Sequence, residues 1–392
     1  MDIRGSAQVS ASPPRLLFFG TYRDEYARNQ ILIEGLRRAG WEVVECHASL
    51  WRGVEDRVRA ASGGWANWGF FRRLFDAYTQ LIRLYRKSGE YDVILVGYPG
   101  HIDVYLARFL ASIRHRPLAW DVLNSLYLIS VERGIEARSR FTVGMIRRLE
   151  RMACRLPDRM FLDTQLFVNW FVDIHHLNPS RFRLVQIGAD DRNFLPLDDP
   201  QPHAGPFRII YYGSYIPNHG VEYIIEAARL LEREMPGKPV LLELVGVGPE
   251  RAKAQDLAEK YSLRNVCFID WLEREALAER IAQADVVLGA FGVTRQLLLT
   301  NNNKIYEGFA MRKPVISART PALPEVLHHG EHLYLCERGD PVSLAQAIRA
   351  LQTDPALCRR LAENGYRVFH DHFDVTQIGK KIASHLDELV GR

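Results

Sequence analysis

Pro196-Leu-Asp-Asp-Pro-Gln-Pro-His-Ala-Gly-Pro206 holds four prolines and a glycine in eleven residues. Proline locks φ and removes an amide donor, so neither a helix nor a central strand survives that composition. The stretch is expected to be a linker at 196–206, and the sequence reads the same way on either side of it. Short β-branched and apolar runs alternate with longer segments of helical period, the pattern of a parallel sheet with crossover helices. Upstream, strands are expected at Leu16–Phe19, Glu42–Cys46, Asp92–Gly97, Pro117–Trp120, Arg159–Leu162 and Phe182–Ile187. Downstream they are expected at Phe207–Tyr212, Val240–Val245, Val266–Ile269, Val286–Ala290, Pro314–Ser317 and Leu333–Cys336. Helices lie between them. In one, Gln30–Ala39, residues Ile31, Ile33, Leu36 and Ala39 share an apolar side and Gly40 is the stop.

The fold class is therefore α/β, with two doubly wound, Rossmann-like units. The expected division of the 392 residues is a disordered leader over 1–14, a first domain over 15–195, the linker, and a second domain over 207–373. A helix at Thr376–Val390 follows the last strand, and the segment 374–392 is expected to return to the first domain. Doubly wound sheets bind ligands beyond the carboxyl ends of their strands, so two such units point to a site in the cleft between them.

Composition excludes several classes. With 47% apolar residues, 25% charged residues and a net charge of +4, the chain is neither disordered, collagenous nor a coiled coil, and a nucleic-acid partner is not expected. Its longest apolar runs, Leu16–Gly20 and Val93–Tyr98, fall far short of the roughly 18 residues that span a bilayer. Met1–Pro14 lacks the basic stretch and apolar core of a secretory signal. Cys46, Cys154, Cys267, Cys336 and Cys358 are odd in number and scattered, with no C-x-x-C pair. Neither a disulfide framework nor a zinc site follows, and a reducing cytoplasm is the expected compartment.

Chemistry concentrates in Asn301-Asn-Asn-Lys-Ile-Tyr-Glu-Gly308. The asparagines supply a turn and an N-cap, with a helix starting near Asn303. Backbone N–H groups at that start, with Lys304 one residue in, form an anion site. Glu307, one turn on, is placed to accept hydrogen bonds from two ribose hydroxyls. Alone, the same residues read equally as a capped helix with a solvated Lys and Glu. Further runs follow strands in one order: Tyr212-Gly-Ser-Tyr-Ile-Pro-Asn-His-Gly-Val-Glu222, Leu244-Val-Gly-Val-Gly-Pro249, Asn265-Val-Cys-Phe-Ile-Asp-Trp271 and Ala284-Asp-Val-Val-Leu-Gly289. The series ends with Asn303-Lys-Ile-Tyr-Glu-Gly-Phe-Ala-Met-Arg-Lys-Pro-Val-Ile316.

On these residues the sequence resembles the nucleotide-sugar glycosyltransferases of family 4, which have the GT-B fold and retain configuration at the anomeric carbon. The resemblance runs almost continuously from Phe207 to about Phe373. In the first half, Gly20-Thr-Tyr-Arg23, Gly97-Tyr-Pro-Gly-His-Ile-Asp103 and Gly188-Ala-Asp-Asp191 resemble a bacterial subgroup of that family. The resemblance implies a ribose-binding role for Glu307, the second glutamate of an E-x7-E motif. It places Asn303 and Lys304 at the diphosphate, Trp271 and Leu272 at the base, and Gly246 and Gly248 where the nucleotide approaches closely. Gly20 and Thr21 would face the diphosphate from the first domain, and His101 would meet the donor sugar.

Three departures stand out. Leu299 occupies the position of the motif's first glutamate, and Ser214 and His219 replace two usual cations near Gly213. Lys304, Arg295 and backbone N–H groups are left to hold the diphosphate, with His219 either a protonated cation or a neutral hydrogen bonder. No D-x-D motif is present, and Asp190-Asp191 and Asp198-Asp199 read as loop residues. The expectation is metal-independent transfer of a hexosyl or N-acetylhexosaminyl group, with UDP the favoured nucleotide and no further cofactor. In the family's usual account the leaving phosphate deprotonates the acceptor, a glycan or a lipid-linked molecule. Asp121 is read either as an acceptor contact or as the cap of the next turn. A hydrolase would need a paired nucleophile that the sequence does not supply. The alternatives are a GT-B nucleotide-sugar epimerase and a silent sugar-nucleotide-binding subunit.

A last feature lies at 65–87. Phe71, Leu74, Phe75, Tyr78, Leu81 and Tyr85 fall on one helical stripe, with Arg72, Arg73, Arg83, Arg86 and Lys87 on the other side. Between Arg52 and Arg159 there are 19 Lys or Arg against 11 Asp or Glu. The stretch reads either as an interfacial helix on anionic lipid, at the inner face of the plasma membrane, or as a crossover helix with solvated arginines.

Overall fold

The computed structural model describes residues 13–24, 26–50, 68–196, 205–234 and 239–391. The chain opens on β1 (Arg15–Gly20), buried from Leu16 to Gly20 and paired on both sides. Helix α1 (Ala27–Arg38) leads to β2 (Glu42–His47), α2 (Trp68–Lys87) to β3 (Val93–Val96), and α3 (Asp103–Ile113) to β4 (Leu118–Asp121). Then α4 (Leu126–Glu132), α5 (Ile135–Arg138) and α6 (Arg140–Ala153) precede β5 (Arg159–Leu162), and α7 (Gln165–His175) precedes β6 (Phe182–Leu184). All six strands are parallel, in the order β2-β1-β3-β4-β5-β6. β3 and β4 are buried throughout, as strands covered on both faces must be.

The second sheet repeats the plan. β7 (Phe207–Tyr212), α8 (Val221–Glu234), β8 (Val240–Val245), α9 (Arg251–Lys260), β9 (Val266–Ile269) and α10 (Arg274–Ala282) build one side. β10 (Val286–Leu288), α11 (Arg295–Leu299), α12 (Asn303–Ala310), β11 (Val315–Ala318) and β12 (Tyr334–Cys336) build the other. α13 (Pro341–Thr353), α14 (Pro355–His372) and α15 (Val375–Val390) close the chain. The parallel order is β12-β11-β10-β7-β8-β9, so the winding reverses between β7 and β10. That reversal opens a crevice at the carboxyl ends of those two strands.

The twelve expected strands are all present, with ends that shift by a few residues. β6 stops at Leu184, short of Ile187, for a definable reason. The carbonyls of Val185 and Gln186 accept from the Arg28 guanidinium at 3.0 and 2.6 Å and so leave the ladder.

Helices α2, α3 and α7 cover one face of the first sheet, where Leu81, Tyr85, Leu110, Phe167 and Phe171 share a core cluster. The opposite face is covered by α1 and α15, through Ile31, Leu32, Ile378, Ile382 and Leu386. Those two helices touch at a pair of glycines. A Cβ on Gly379 would run into the carbonyl oxygen of Gly35, so only glycine permits this approach. The chain's last helix thus lies on the first sheet.

The expected stripe on α2 splits. Ala77, Leu81 and Tyr85 face the core, whereas Phe71 and Phe75 are exposed. Residues 65–67 lie outside the described residues, as do 1–12 of the expected leader and 197–204 of the expected linker. Among the described residues, no helix is long and apolar enough to cross a membrane.

Candidate functional site

The crevice is floored by the turns that leave β7 and β8. These turns interlock: a Cβ on Gly246 would strike the carbonyl oxygen of Gly213, and one on Gly248 that of Ser214. Gly246 and Gly248, expected where a nucleotide approaches, are demanded by a second constraint. The neighbouring turn leaves no room for a side chain at either. Ser214 is half-buried on this turn.

Helix α12 starts beside the turns. Its cap residue Asn302 makes no side-chain bond to the first turn, against the expectation of an asparagine cap. Asn301 instead sends its amide to the Ala322 carbonyl at 2.9 Å. Side-chain capping is therefore absent where the N–H groups of Asn303 and Lys304 start the helix.

Lys304 is not solvated. It is 5% exposed, with Nζ 3.3 Å from His219 Nε2 and 5.4 Å from the centre of the Tyr211 ring. Burial lowers its ammonium below the ordinary lysine range, and the neighbouring Glu307 carboxylate opposes that shift. His219 is half-buried, and desolvation followed by the Lys304 charge drives its pKa well down, so the ring is neutral. Because the ammonium donates to Nε2, the ring proton sits on Nδ1 and points to the Tyr211 hydroxyl at 2.7 Å. Of the two readings open for His219, the neutral hydrogen bonder is the one that fits. Glu307 is also buried, and burial raises its carboxyl while Lys304 and Arg274 pull it down. The Tyr212 hydroxyl faces that carboxyl without closing a hydrogen bond of normal geometry. Gly213, His219, Lys304 and Glu307 therefore form one group, with Asn303 at the helix start above them. Trp271, 44% exposed, and half-buried Leu272 follow β9 at the same carboxyl edge. Arg295 is exposed on α11.

The first domain contributes differently from expectation. Gly20 ends β1 at its carboxyl edge and Thr21 follows it, but the polar groups of Thr21 turn inward. The Thr21 amide donates to Asp103 Oδ2 at 2.7 Å, and its hydroxyl lies 3.1 Å from the same atom. Tyr78 donates to the other oxygen at 2.8 Å. Asp103, which opens α3, therefore occupies the Thr21 amide and hydroxyl.

Asp121 is corrected on both of its readings. It is fully buried, and Arg28 Nη2 and Nε reach its oxygens at 2.8 and 3.0 Å. No acceptor reaches it, and it caps no turn.

His101 is buried with Nε2 3.2 Å from Glu150 Oε1, edge-on to the Trp120 ring, and its Nδ1 is without a partner. Glu150 also accepts from Ser125 Oγ and the Leu126 amide, both at 2.7 Å. Burial alone would raise the Glu150 carboxyl, yet the bonds from His101, His175 and Ser125 bring it to about 2. An ionised Glu150 can only accept, so His101 donates from Nε2, and its Nδ1 faces no protein partner.

Sequence reasoning missed Arg28, Glu150 and Asp163. Each had a signal. Arg28 lies on the α1 stripe that carries Leu32 and Gly35, and Glu150 on the α6 stripe that carries Val143 and Ala153. A charged side chain at a core position needs a buried partner. Asp163 follows β5, and its Oδ2 accepts the Asn301 amide at 3.1 Å across the cleft. Burial pushes its carboxyl up to about 7. This bond sets the carboxyl edge of the first sheet against the start of α12. On the flank, Arg274 donates to Gln30 and lies 3.9 Å from Asp190. Among the described residues, no three His, Cys, Asp or Glu side chains cluster to hold a metal ion.

Residues 198–368 match the family model described as glycosyl transferases group 1. A lipopolysaccharide core biosynthesis glycosyltransferase, LpsD of Rhizobium meliloti, is 30% identical over 195 residues, covering 50% of this chain and 53% of its own. The chain spans about half the length of such curated relatives. Likeness of structure extends further. A sucrose-phosphate synthase from Thermosynechococcus elongatus superposes over 97% of this chain and 99% of its own, with a TM-score of 0.71 and 17% identity. The Anabaena protein HepE, in complex with UDP, does so over 96% of this chain and 100% of its own, with a TM-score of 0.65 and 16% identity. The fold is GT-B.

The buried Arg28–Asp121 pair yields a stability test. Replacing Arg28 by Met leaves a buried carboxylate unpaired and should cost about 3–5 kcal/mol. Thermal unfolding should show a large fall in Tm for Arg28→Met. Removal of the exposed Arg319–Glu337 pair by Arg319→Met should leave Tm unchanged.

Proposed function

We propose that the protein is a retaining glycosyltransferase that moves a sugar from a nucleotide-sugar donor, UDP-linked by preference, to a glycan or lipid-linked acceptor. One observation carries the reading: a buried ammonium, Lys304, beside a neutral histidine at an uncapped helix start, on the edge of the sheet that faces the other domain. The arrangement suits an incoming anion. As the glycosidic bond breaks, negative charge grows on the leaving diphosphate, and donors already fixed on those oxygens favour the transition state over the ground state. Lys304 and the first amides of α12 supply that charge without a metal. Glu307 would accept from the ribose, and Trp271 and Leu272 would border the base. His101, its ring held by Glu150, would turn its unpartnered Nδ1 to a donor-sugar hydroxyl. The leaving phosphate itself serves as base toward the acceptor, so the loss of Asp121 from the site leaves no gap in the chemistry.

The similarity of residues 198–368 to group 1 glycosyl transferases and the structural likeness to a protein that holds UDP support this reading. A specific observation favours a second one. Leu299, at the position of the motif's first glutamate, packs against the first domain's apolar cluster. A subunit that binds sugar nucleotide without turnover fits that substitution. Hydrolysis of a UDP-sugar by the purified protein, without acceptor or metal, would establish the enzyme. Nucleotide binding with no turnover of any donor would establish the silent subunit.

The acceptor side carries its own signal. Helices α2, α3 and α6 lie side by side, joined by the Tyr85 hydroxyl to the Leu110 carbonyl and the Tyr105 hydroxyl to the Leu149 carbonyl. Of fifteen exposed large apolar side chains among the described residues, ten lie between Phe71 and Met152, so the apolar surface is concentrated on this domain. Phe75 is 72% exposed and Phe141 81%. Arginines interleave them, and of the acids on these three helices Asp103 and Glu150 are buried, leaving Asp76. Apolar side chains interleaved with arginines suit the surface of an anionic bilayer, which would bring a lipid-linked acceptor to the cleft from the inner face of the membrane.

Three outcomes follow. Glu307→Ala should weaken UDP binding by about 1–3 kcal/mol in calorimetry, through lost hydrogen bonds to a charged acceptor. UDP affinity of the parent protein should fall as pH rises from about 7.5 to about 9.5, because a buried lysine gives up its proton earlier than a free one. Vesicles that contain anionic lipid should sediment the protein at low salt and release it at high salt. Equal binding to neutral vesicles would remove the membrane from the account.

A further inference from the structure

Helix α11 belongs to the second domain by sequence, yet the first domain holds both of its ends. At its start, Glu132 Oε1 accepts the Gln296 amide at 2.7 Å, and the Gln296 side chain donates to Asn124 Oδ1 at 3.0 Å. At its end, the Thr164 hydroxyl donates to the Leu299 carbonyl, and the Leu299 side chain enters the apolar cluster beneath the first sheet. Two residues on, Asp163 takes the Asn301 amide. A five-residue helix has too few internal bonds to be stable alone, so its position is set by what grips it. Here the first domain grips through Glu132, Asp163, Thr164 and the cluster that Leu299 packs against. The second domain grips through the Thr320 hydroxyl, which donates to the Leu297 carbonyl at 2.9 Å, and the Ala322 carbonyl, which accepts from the Asn301 side chain. α12 begins at Asn303, directly after this gripped segment. The backbone that presents Asn303 and Lys304 is therefore placed in part from across the cleft.

We propose that α11 is a strap through which Glu132, Asp163 and Thr164 position the start of α12, so that the anion cradle takes its working shape only while the first domain holds it. The inference rests on the transferase reading of that cradle. It also gives Leu299 a purpose: an apolar anchor for the strap in place of a sugar-binding glutamate. Displacement of a transition-state donor by about 1 Å can lower a rate by about 100-fold, so the strap acts on turnover more than on ground-state binding.

The test compares the parent protein with Asp163→Ala, Asp163→Asn and Thr164→Val by hydrogen exchange and by donor-hydrolysis kinetics. The strap predicts faster amide exchange confined to about residues 295–305 in Asp163→Ala and Thr164→Val. It predicts kcat lowered about tenfold or more, with the donor KM within about threefold. Asp163→Asn keeps an oxygen acceptor for the Asn301 amide and should restore most of kcat. Unchanged exchange in 295–305 overturns the proposal. So does faster exchange with unchanged kcat, or faster exchange throughout the second domain, which would make these bonds general supports of the fold. Exchange needs no nucleotide. If the parent turns over no donor, the transferase reading fails by itself, and the exchange pattern still decides whether the strap holds α12.

Discussion

The structure turns on one costly placement, an ammonium buried at the start of a helix. Lys304 has left water, its nearest polar neighbour is a neutral ring, and its compensating charge is the Glu307 carboxylate one turn on. A site that only had to be stable would replace such a group with an apolar one. A site that must receive an anion gains from keeping it, because the cation's lost hydration is recovered when the anion arrives. The fold sustains this in stages. The reversal between β7 and β10 opens the crevice, interlocked glycine turns floor it, and Tyr211 fixes the His219 proton so that Nε2 faces the ammonium.

The first domain's polar core explains why its edge can meet that site without distortion. Arg28 ties α1 to Asp121 and to the end of β6, Asp103 ties the β1 turn to α2 and α3, and Glu150 ties His101 to the start of α4. Three buried carboxylates thus each hold several elements in register. In a doubly wound domain the loops at the carboxyl edge are where packing is weakest, and charge-assisted bonds there supply the rigidity that apolar contact supplies deeper down.

Most of the architecture was legible in the sequence because parallel strands buried on both faces leave continuous apolar runs, as Val93–Val96 and Val315–Ala318 do. The group around Lys304 was legible for a different reason: Gly213, His219, Asn303, Lys304 and Glu307 fall at loop and helix starts that the alternation itself locates. What was not legible is pairing. Nothing in the order of residues says that Asp121 meets Arg28, 93 positions away, or that Thr21 turns to Asp103. Charged residues on apolar stripes announce that a partner exists and leave its identity to the tertiary fold. Burial of Lys304 was hidden likewise, since a lysine in a first helical turn is solvated unless a second strand-end turn covers it, as the Gly213 turn does here.

The most direct measurement is a crystal structure of the protein soaked with UDP. The account predicts a diphosphate at the first turn of α12, within hydrogen-bond distance of Lys304 Nζ and the Asn303 amide, with the ribose on Glu307. A nucleotide seated anywhere else, or a diphosphate that leaves Lys304 untouched, would contradict it.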